Sequence, residues 1–131
     1  MKIDHIGIAV KDLKKGMSFY RLLFPEAEYE EINYEAGKMS IGMIKAENVK
    51  VELLQPWDNE SAIGKYIAEH GEGIHHIAYE VQNIYEQMDK VDKLGIRKAT
   101  EEPYYGAEGH LVFFMHTDDT FGISYEFCQD H

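Results

Sequence analysis

The sequence predicts an α+β fold built from two βαβββ modules. Two observations support this prediction. Residues 2–10 alternate between two side-chain faces as a β-strand does, and a helical pattern follows them. The same strand and helix pattern begins again at Ile74. A chain of 131 residues is long enough for one domain with a core, so both modules are expected to share a single domain, residues 1–131.

The first module covers residues 1 to about 57 and opens with the strand at residues 2–10. Asp12 follows the strand and is a favourable N-cap, because its side-chain oxygen can accept a hydrogen bond from the first helical turn. Apolar residues then recur at helical spacing until Pro25, which cannot continue a helix. The sequence therefore predicts a helix over residues 12–24.

The rest of the first module is suited to strands. Residues 29–55 contain apolar runs divided by turn signals at Gly37 and at residues 46–48, which predicts three antiparallel strands. The clearest of these strands covers residues 49–55. A linker helix is expected after it, within residues 58 to about 70.

The second module covers residues from about 71 to 131 and repeats the first. His76 stands 71 residues after His5, and at this spacing strand aligns with strand and helix with helix. The second helix is expected to begin after Asn83 and to end at Gly95. The identical pairs are Ile3 and Ile74, His5 and His76, Ile6 and Ile77, Val10 and Val81, Met17 and Met88, and Leu23 and Leu94. Further strands are expected around residues 96–100, 110–116 and 121–128.

Composition and charge argue against several classes of protein. The apolar share of 44% and charged share of 28% are ordinary for a globular protein, and no stretch approaches the ~18 consecutive apolar residues of a membrane helix. The formal net charge of -11 argues against nucleic acid, whose phosphates are bound by clustered Lys and Arg. Cys128 is the single cysteine, so neither an internal disulfide nor a thiolate metal cluster is expected. The N-terminal residues lack the pattern of a signal peptide, which predicts a cytoplasmic location.

Each module carries one histidine near the start of its first strand and one glutamate inside its last strand. These residues are His5 and Glu52 in the first module, and His76 and Glu126 in the second. A carboxylate between apolar neighbours is costly to bury unless it is paired or bound to a cation. Two imidazoles and two carboxylates suit Co, Ni, Zn, Fe or Mn. The duplicated fold therefore predicts one divalent cation held by the four side chains.

Taken singly, each of these residues has another interpretation. A lone His on a strand is more often a hydrogen-bonded core or surface residue than a ligand, and Glu is common on a solvated sheet face. The symmetric recurrence of the pairs favours the metal site. His75 falls opposite Asp4 in the repeat, on the other strand face from His76, and is expected to be structural or to support a ligand. Cys128 shares the strand face of Glu126, where a buried, inert thiol is expected.

Four stretches, which together span most of the chain, resemble a known family. They are Asp4–Val10, Val51–Pro56, Gly73–Val81 and Tyr125–Cys128. The third, Gly-Ile-His-His-Ile-Ala-Tyr-Glu-Val, is the most specific. The chain resembles the vicinal-oxygen-chelate superfamily (glyoxalase, bleomycin resistance and dioxygenase proteins), and within it the methylmalonyl-CoA epimerase family most closely.

The resemblance implies a cupped mixed β-sheet around a metal ion, and an enzyme that removes a proton from a carbon next to a carbonyl. It implies His5, Glu52 and His76 as metal ligands, and Glu126 as a ligand that is also the catalytic base. The metal chemistry is sound, since a Lewis acid stabilises negative charge on the substrate oxygens as the proton leaves. The implied substrate is an acyl-CoA thioester, and the implied assembly is a homodimer.

Two departures keep other functions open. Thr117, Asp118 and Asp119 stand where these epimerases usually carry Pro and Lys, and residues 38–42 offer no second carboxylate that could act as a base opposite Glu126. One alternative is the glyoxalase I family (lactoylglutathione lyases), which acts on a glutathione hemithioacetal and can use a metal-bound Glu as its base. Its opening normally includes a basic residue, which residues 6–10 lack. A further alternative is a non-catalytic binding protein for an antibiotic or another small molecule.

Overall fold

The computed structural model of the protein describes residues 1–130, and His131, for which the sequence predicts no role, lies outside them. The described chain forms two compact units. One unit comprises residues 5–75, and the other comprises residues 1–4 together with the chain from residue 76 onward. We call them the N-terminal unit and the C-terminal unit.

The N-terminal unit contains a four-stranded arrangement and its helices. The strands lie in the order β2-β3-β4-β1, where β1 and β4 are parallel and the other neighbours are antiparallel. The elements are β1 (Lys2–Ala9, most of which belongs to this unit), α1 (Leu13–Leu23), β2 (Glu28–Tyr34), a 3-10 turn (Glu35–Gly37), β3 (Met39–Lys45), β4 (Lys50–Pro56) and α2 (Ala62–His70).

Helix α1 covers one face of these strands. Its buried residues Leu13 and Met17 pack with Ile44 of β3 and Leu53 of β4. A side chain at Gly42 would collide with Met17, so glycine at this position lets the helix lie close to β3. The opposite strand face, which carries His5 and Glu52, is left free of α1.

The C-terminal unit repeats this βαβββ arrangement. Its strands lie in the order β5-β8-β7-β6, with β5 and β8 parallel. The elements are β5 (Gly73–Val81, in this unit from His76), α3 (Ile84–Lys93), β6 (Tyr104–Tyr105), β7 (Leu111–Phe114), a 3-10 turn (Thr117–Asp119) and β8 (Ser124–Gln129). The core under α3 is formed by Ile84, Met88, Val91 and Phe113.

The prediction of an α+β fold with two βαβββ modules is confirmed. In the second module one strand prediction was wrong, and another was wrong in its first residues. The segment 96–100 makes an isolated bridge from Lys98 to Met115, and the strand that pairs with β7 is β6. The strand expected from residue 121 begins at Ser124, because Phe121 and Gly122 both adopt left-handed backbone angles, with φ of 61° and 77°, that interrupt an extended chain.

A glutamine from the last strand of each module binds the first helical N–H group of the same module. The Leu13 N–H donates to Gln55 Oε1 at 2.6 Å, and the Ile84 N–H donates to Gln129 Oε1 at 2.8 Å. The first N–H groups of a helix have no partner inside the helix, so an outside acceptor satisfies them. The contact fixes each helix to the strand that carries the glutamate of its module.

We expect Gln55→Ala and Gln129→Ala each to lower the free energy of unfolding by about 1–3 kcal/mol, because each change leaves a partly buried N–H without its acceptor. Urea unfolding measures the loss. Gln82→Ala, which removes an exposed glutamine before α3, is the control and should change stability by less than about 0.5 kcal/mol. Equal stability of Gln55→Ala and the control would contradict the structural role of the bond.

Candidate metal centre

The N-terminal unit brings His5 and Glu52 together. His5 lies on β1 and Glu52 on β4, which run parallel to each other. The distance from His5 Nδ1 to Glu52 Oε2 is 3.4 Å. Parallel pairing makes this contact possible, because Glu52 lies opposite Gly7, on the same side as His5 and only two residues further along β1.

The C-terminal unit brings His76 and Glu126 together in the same way. His76 lies on β5 and Glu126 on the parallel strand β8, and the distance from His76 Nε2 to Glu126 Oε1 is 3.4 Å. Glu126 lies opposite Ala78, which again stands two residues after the histidine. The two pairs therefore occupy equivalent positions in the two modules, as the sequence repeat predicts.

All four side chains are buried. His5, Glu52 and His76 are 5% exposed and Glu126 is 6% exposed. Removing a carboxylate from water is costly unless a positive charge or hydrogen-bond donors replace the water. Each carboxylate has the imidazole of its pair as such a neighbour, and the residue opposite it on the histidine strand is small, Gly7 beside Glu52 and Ala78 beside Glu126.

Apolar side chains surround the pairs on the third strand of each module. Met43 of β3 lies opposite Glu52, and Phe114 of β7 lies opposite Glu126. The ring of Phe114 meets the His76 ring edge to face, with centroids 5.5 Å apart. This packing restricts the imidazole and lowers the local polarity around the carboxylate.

The donor atoms fit a divalent transition metal. Each pair presents one imidazole nitrogen and one carboxylate oxygen, which are common protein ligands of Zn, Co, Ni, Fe and Mn. Two carboxylates also match the charge of a divalent ion. The residues present are therefore chemically suited to the metal that the sequence predicts.

The other residues considered from sequence have partners of their own. The ring of His75 meets Tyr66 edge to face at 4.9 Å, and burial lowers the pKa of His75 to about 4, with a smaller effect from His70. The Cys128 thiol is buried and donates to the Tyr79 carbonyl at 3.6 Å. Neither residue forms part of the two His–Glu pairs described above.

Sequence inspection showed that residues 38–42 offer no carboxylate, but it missed two features around the site. The first is which side chains of β3 share the face of Glu52. The side chains of β3 that share the face of Glu52 are Met39, Ile41 and Met43, as the pairing register shows, so this strand presents only apolar groups there. The glutamine contacts to α1 and α3 were also missed. A signal for them existed, since Gln55 and Gln129 each stand three residues after a glutamate of the predicted site.

A match to a protein-family model identifies the superfamily of this chain. The model of the glyoxalase/bleomycin resistance protein/dioxygenase superfamily matches residues 4–114. The chain belongs to this superfamily, which confirms the resemblance stated from sequence.

Within the superfamily the chain is similar to epimerases of acyl-CoA thioesters. It is 34% identical to the ethylmalonyl-CoA/methylmalonyl-CoA epimerase of Cereibacter sphaeroides, over 98% of this chain and 97% of that protein. A structure of Streptomyces coelicolor methylmalonyl-CoA epimerase with 2-nitronate-propionyl-CoA has a TM-score of 0.93 at 31% identity, covering 99% of this chain and 94% of the other. A protein of Synechocystis sp. named "probable lactoylglutathione lyase" is 32% identical over 98% of this chain and 95% of its own length. These named relatives are enzymes, as predicted.

Proposed function

We propose that His5, Glu52, His76 and Glu126 bind one divalent cation, and that the protein is an epimerase that removes a proton from the carbon next to a thioester carbonyl. Methylmalonyl-CoA is the first substrate to test. The observation that carries the proposal is the buried His–Glu pair that recurs at the same register position in both modules. Similarity to acyl-CoA epimerases over nearly the whole chain supports the substrate class.

The cation, when bound, would act as a Lewis acid that stabilises negative charge on the substrate carbonyl oxygens. His5, Glu52 and His76 would hold it. Glu126 would accept the proton from carbon, since a carboxylate within reach of a carbon acid is a suitable general base. Epimerisation would then be completed by a proton from a second donor on the opposite face of the carbon. The Phe114 ring opposite Glu126 would lower the local polarity around the carboxylate, which favours transfer of a proton from carbon to it.

One observation favours a second candidate function, that of a lactoylglutathione lyase. Epimerisation must deliver a proton to the opposite face of the carbon, yet β3 offers Met39, Ile41 and Met43 beside Glu52, none of which transfers protons. A lactoylglutathione lyase moves a proton between adjacent carbons and requires a single base. The similarity to the Synechocystis protein is consistent with this alternative.

The metal site can be tested by substitution. After removal of metal with a chelator and reconstitution with Co²⁺, we expect one ion per wild-type chain by elemental analysis. Glu52→Ala and Glu126→Ala should each lower affinity by about 10-fold or more, because each removes a charged ligand from a buried position.

Glu80→Ala is the matched control for these variants, since Glu80 lies on β5 and pairs with Lys2 at 3.1 Å rather than with a histidine of the site. Its metal content should equal that of the wild type. A Glu126→Ala variant that retains a full equivalent of tightly bound metal would refute the proposed ligand set.

The catalytic role of Glu126 can be tested with the isosteric Glu126→Gln variant. Its amide cannot accept a proton from carbon, so we expect kcat for methylmalonyl-CoA epimerisation to fall by about 10²–10⁴-fold. The measurement is incorporation of solvent deuterium at the carbon next to the thioester, followed by mass spectrometry, with Glu80→Gln as the control.

The same protein samples separate the candidate functions. Deuterium incorporation into methylmalonyl-CoA supports the epimerase, whereas thioester formation from methylglyoxal and glutathione without that incorporation supports the lyase. Metal-free protein that binds an antibiotic tightly and turns over neither substrate would indicate a non-catalytic binding protein. The last two results would each reject the epimerase proposal.

We extend the proposal to a homodimer in the cytoplasm, as the family resemblance implies. Phe19, Leu22, Leu23 and Phe24 of α1 and its end are 53–84% exposed and give an apolar surface suited to a second copy. Among residues 1–130, no helix is both long and apolar enough to cross a membrane. Light scattering on the purified chain measures its mass, and a monomer mass at micromolar concentration would reject the dimer.

A further inference from the structure

The turn between β7 and β8 presents an exposed aromatic ring in a strained conformation. Phe121 has a φ of 61° and is 91% exposed. A bulky side chain in the left-handed region is strained relative to an ordinary conformation, and glycine at the same position avoids this strain. Burial of the ring in the core therefore does not explain why phenylalanine occupies this position.

The surrounding turn holds this conformation firmly. The Asp119 carboxylate accepts hydrogen bonds from the Arg97 N–H at 2.8 Å and from Arg97 Nε and Nη2 at 3.0 Å each. Hydrogen bonding to Arg97 lowers the pKa of Asp119 to about 2, so the ion pair persists at neutral pH. The buried Thr120 hydroxyl donates to the Ile123 carbonyl at 2.7 Å, and the Gly122 N–H donates to the Thr117 carbonyl at 2.9 Å. These hydrogen bonds fix the backbone of the turn that carries the exposed ring.

The turn also leads into β8, the strand that carries Glu126. Three residues after Phe121 the chain enters β8 at Ser124, which lies opposite His76. Three residues span at most about 11 Å, and paired strands lie about 5 Å apart. The backbone of Phe121 is therefore within about 16 Å of the backbone of His76, a distance that a substrate longer than its reacting group can cross.

The charge of the turn indicates which part of such a substrate it accepts. Asp118 has a 70% exposed side chain and lies 3.8 Å from His116 and 3.9 Å from Arg97, and Arg97 also pairs with Asp119 at 3.0 Å. The two carboxylates of the turn thus share one guanidinium group. A phosphate group would meet an acidic surface here. An aromatic ring instead attracts planar or apolar groups, and base stacking on such a ring does not require a positive charge.

We propose that the ring of Phe121 contacts the carrier portion of a coenzyme A substrate and packs against its planar or apolar groups, beyond the thioester. This inference rests on the proposed function for its substrate class. It assigns Phe121 to recognition of the part of the substrate that does not react. The strain at Phe121 is then explained by ligand binding rather than by folding.

The test uses free coenzyme A, which contains the carrier and has no acyl carbon to react. Isothermal titration of the full chain should give a Kd about tenfold weaker for Phe121→Gly than for the wild type, because a stacking contact is removed. The thermal midpoint of Phe121→Gly should be equal to or above that of the wild type, since glycine relieves the backbone strain. With methylmalonyl-CoA, KM should rise about as much as Kd while kcat changes by less than about twofold.

Tyr85→Ala is the matched control, because it removes a 58% exposed aromatic ring from α3, and it should leave the Kd unchanged. Phe121→Asn, whose side chain tolerates the left-handed region, should weaken binding as Phe121→Gly does. Equal Kd values for wild type and Phe121→Gly, or no binding of coenzyme A by the wild type, would overturn the inference. Coenzyme A binding that depends on Phe121 without any turnover of methylmalonyl-CoA would uphold it and reject the epimerase activity.

Discussion

A carboxylate buried beside an imidazole, on two parallel strands, is the constraint on which the rest of this structure depends. Glu52 and Glu126 are 5% and 6% exposed, so each needs a compensating neighbour. The parallel pairing of β1 with β4 and of β5 with β8 provides one by aligning each glutamate two residues beyond a histidine. An antiparallel arrangement of the same strands would reverse that order, and the duplicated βαβββ topology is what makes the first and last strands of each module parallel neighbours.

Much of the fold was predictable because the relevant signals are local. Alternation identified β1, Asp12 and Pro25 bounded α1, and the repeat of His5 as His76 placed the second module. The site pairs were predictable for the same reason, since duplication carries equivalent residues to equivalent strands. The family resemblance added a reaction class that the spacing alone does not specify.

The features that could not be predicted depend on tertiary contacts. The segment at 96–100 was predicted as a strand, but β6 pairs with β7 along Leu111 and Val112, and Lys98 forms a single bridge to Met115. Met43 lies on the same side of the strands as Glu52 because the two residues are paired across β3 and β4. The sequence of β3 alone does not reveal this pairing. Phe121 fell within the strand predicted around residues 121–128, whereas the contacts between Arg97 and Asp119 stabilise a turn there.

The glutamines that hold the helices restrict how the last strand of each module can change its length. In β4 the carboxylate of Glu52 and the amide of Gln55 project to opposite sides, because Gln55 stands three positions after Glu52 and successive side chains of a strand alternate between its faces. Insertion or deletion of one residue between them would turn one of the two groups to the wrong side. We therefore expect changes in chain length to fall in the connecting loops, while the distance along β4 between Glu52 and the glutamine that holds α1 stays constant.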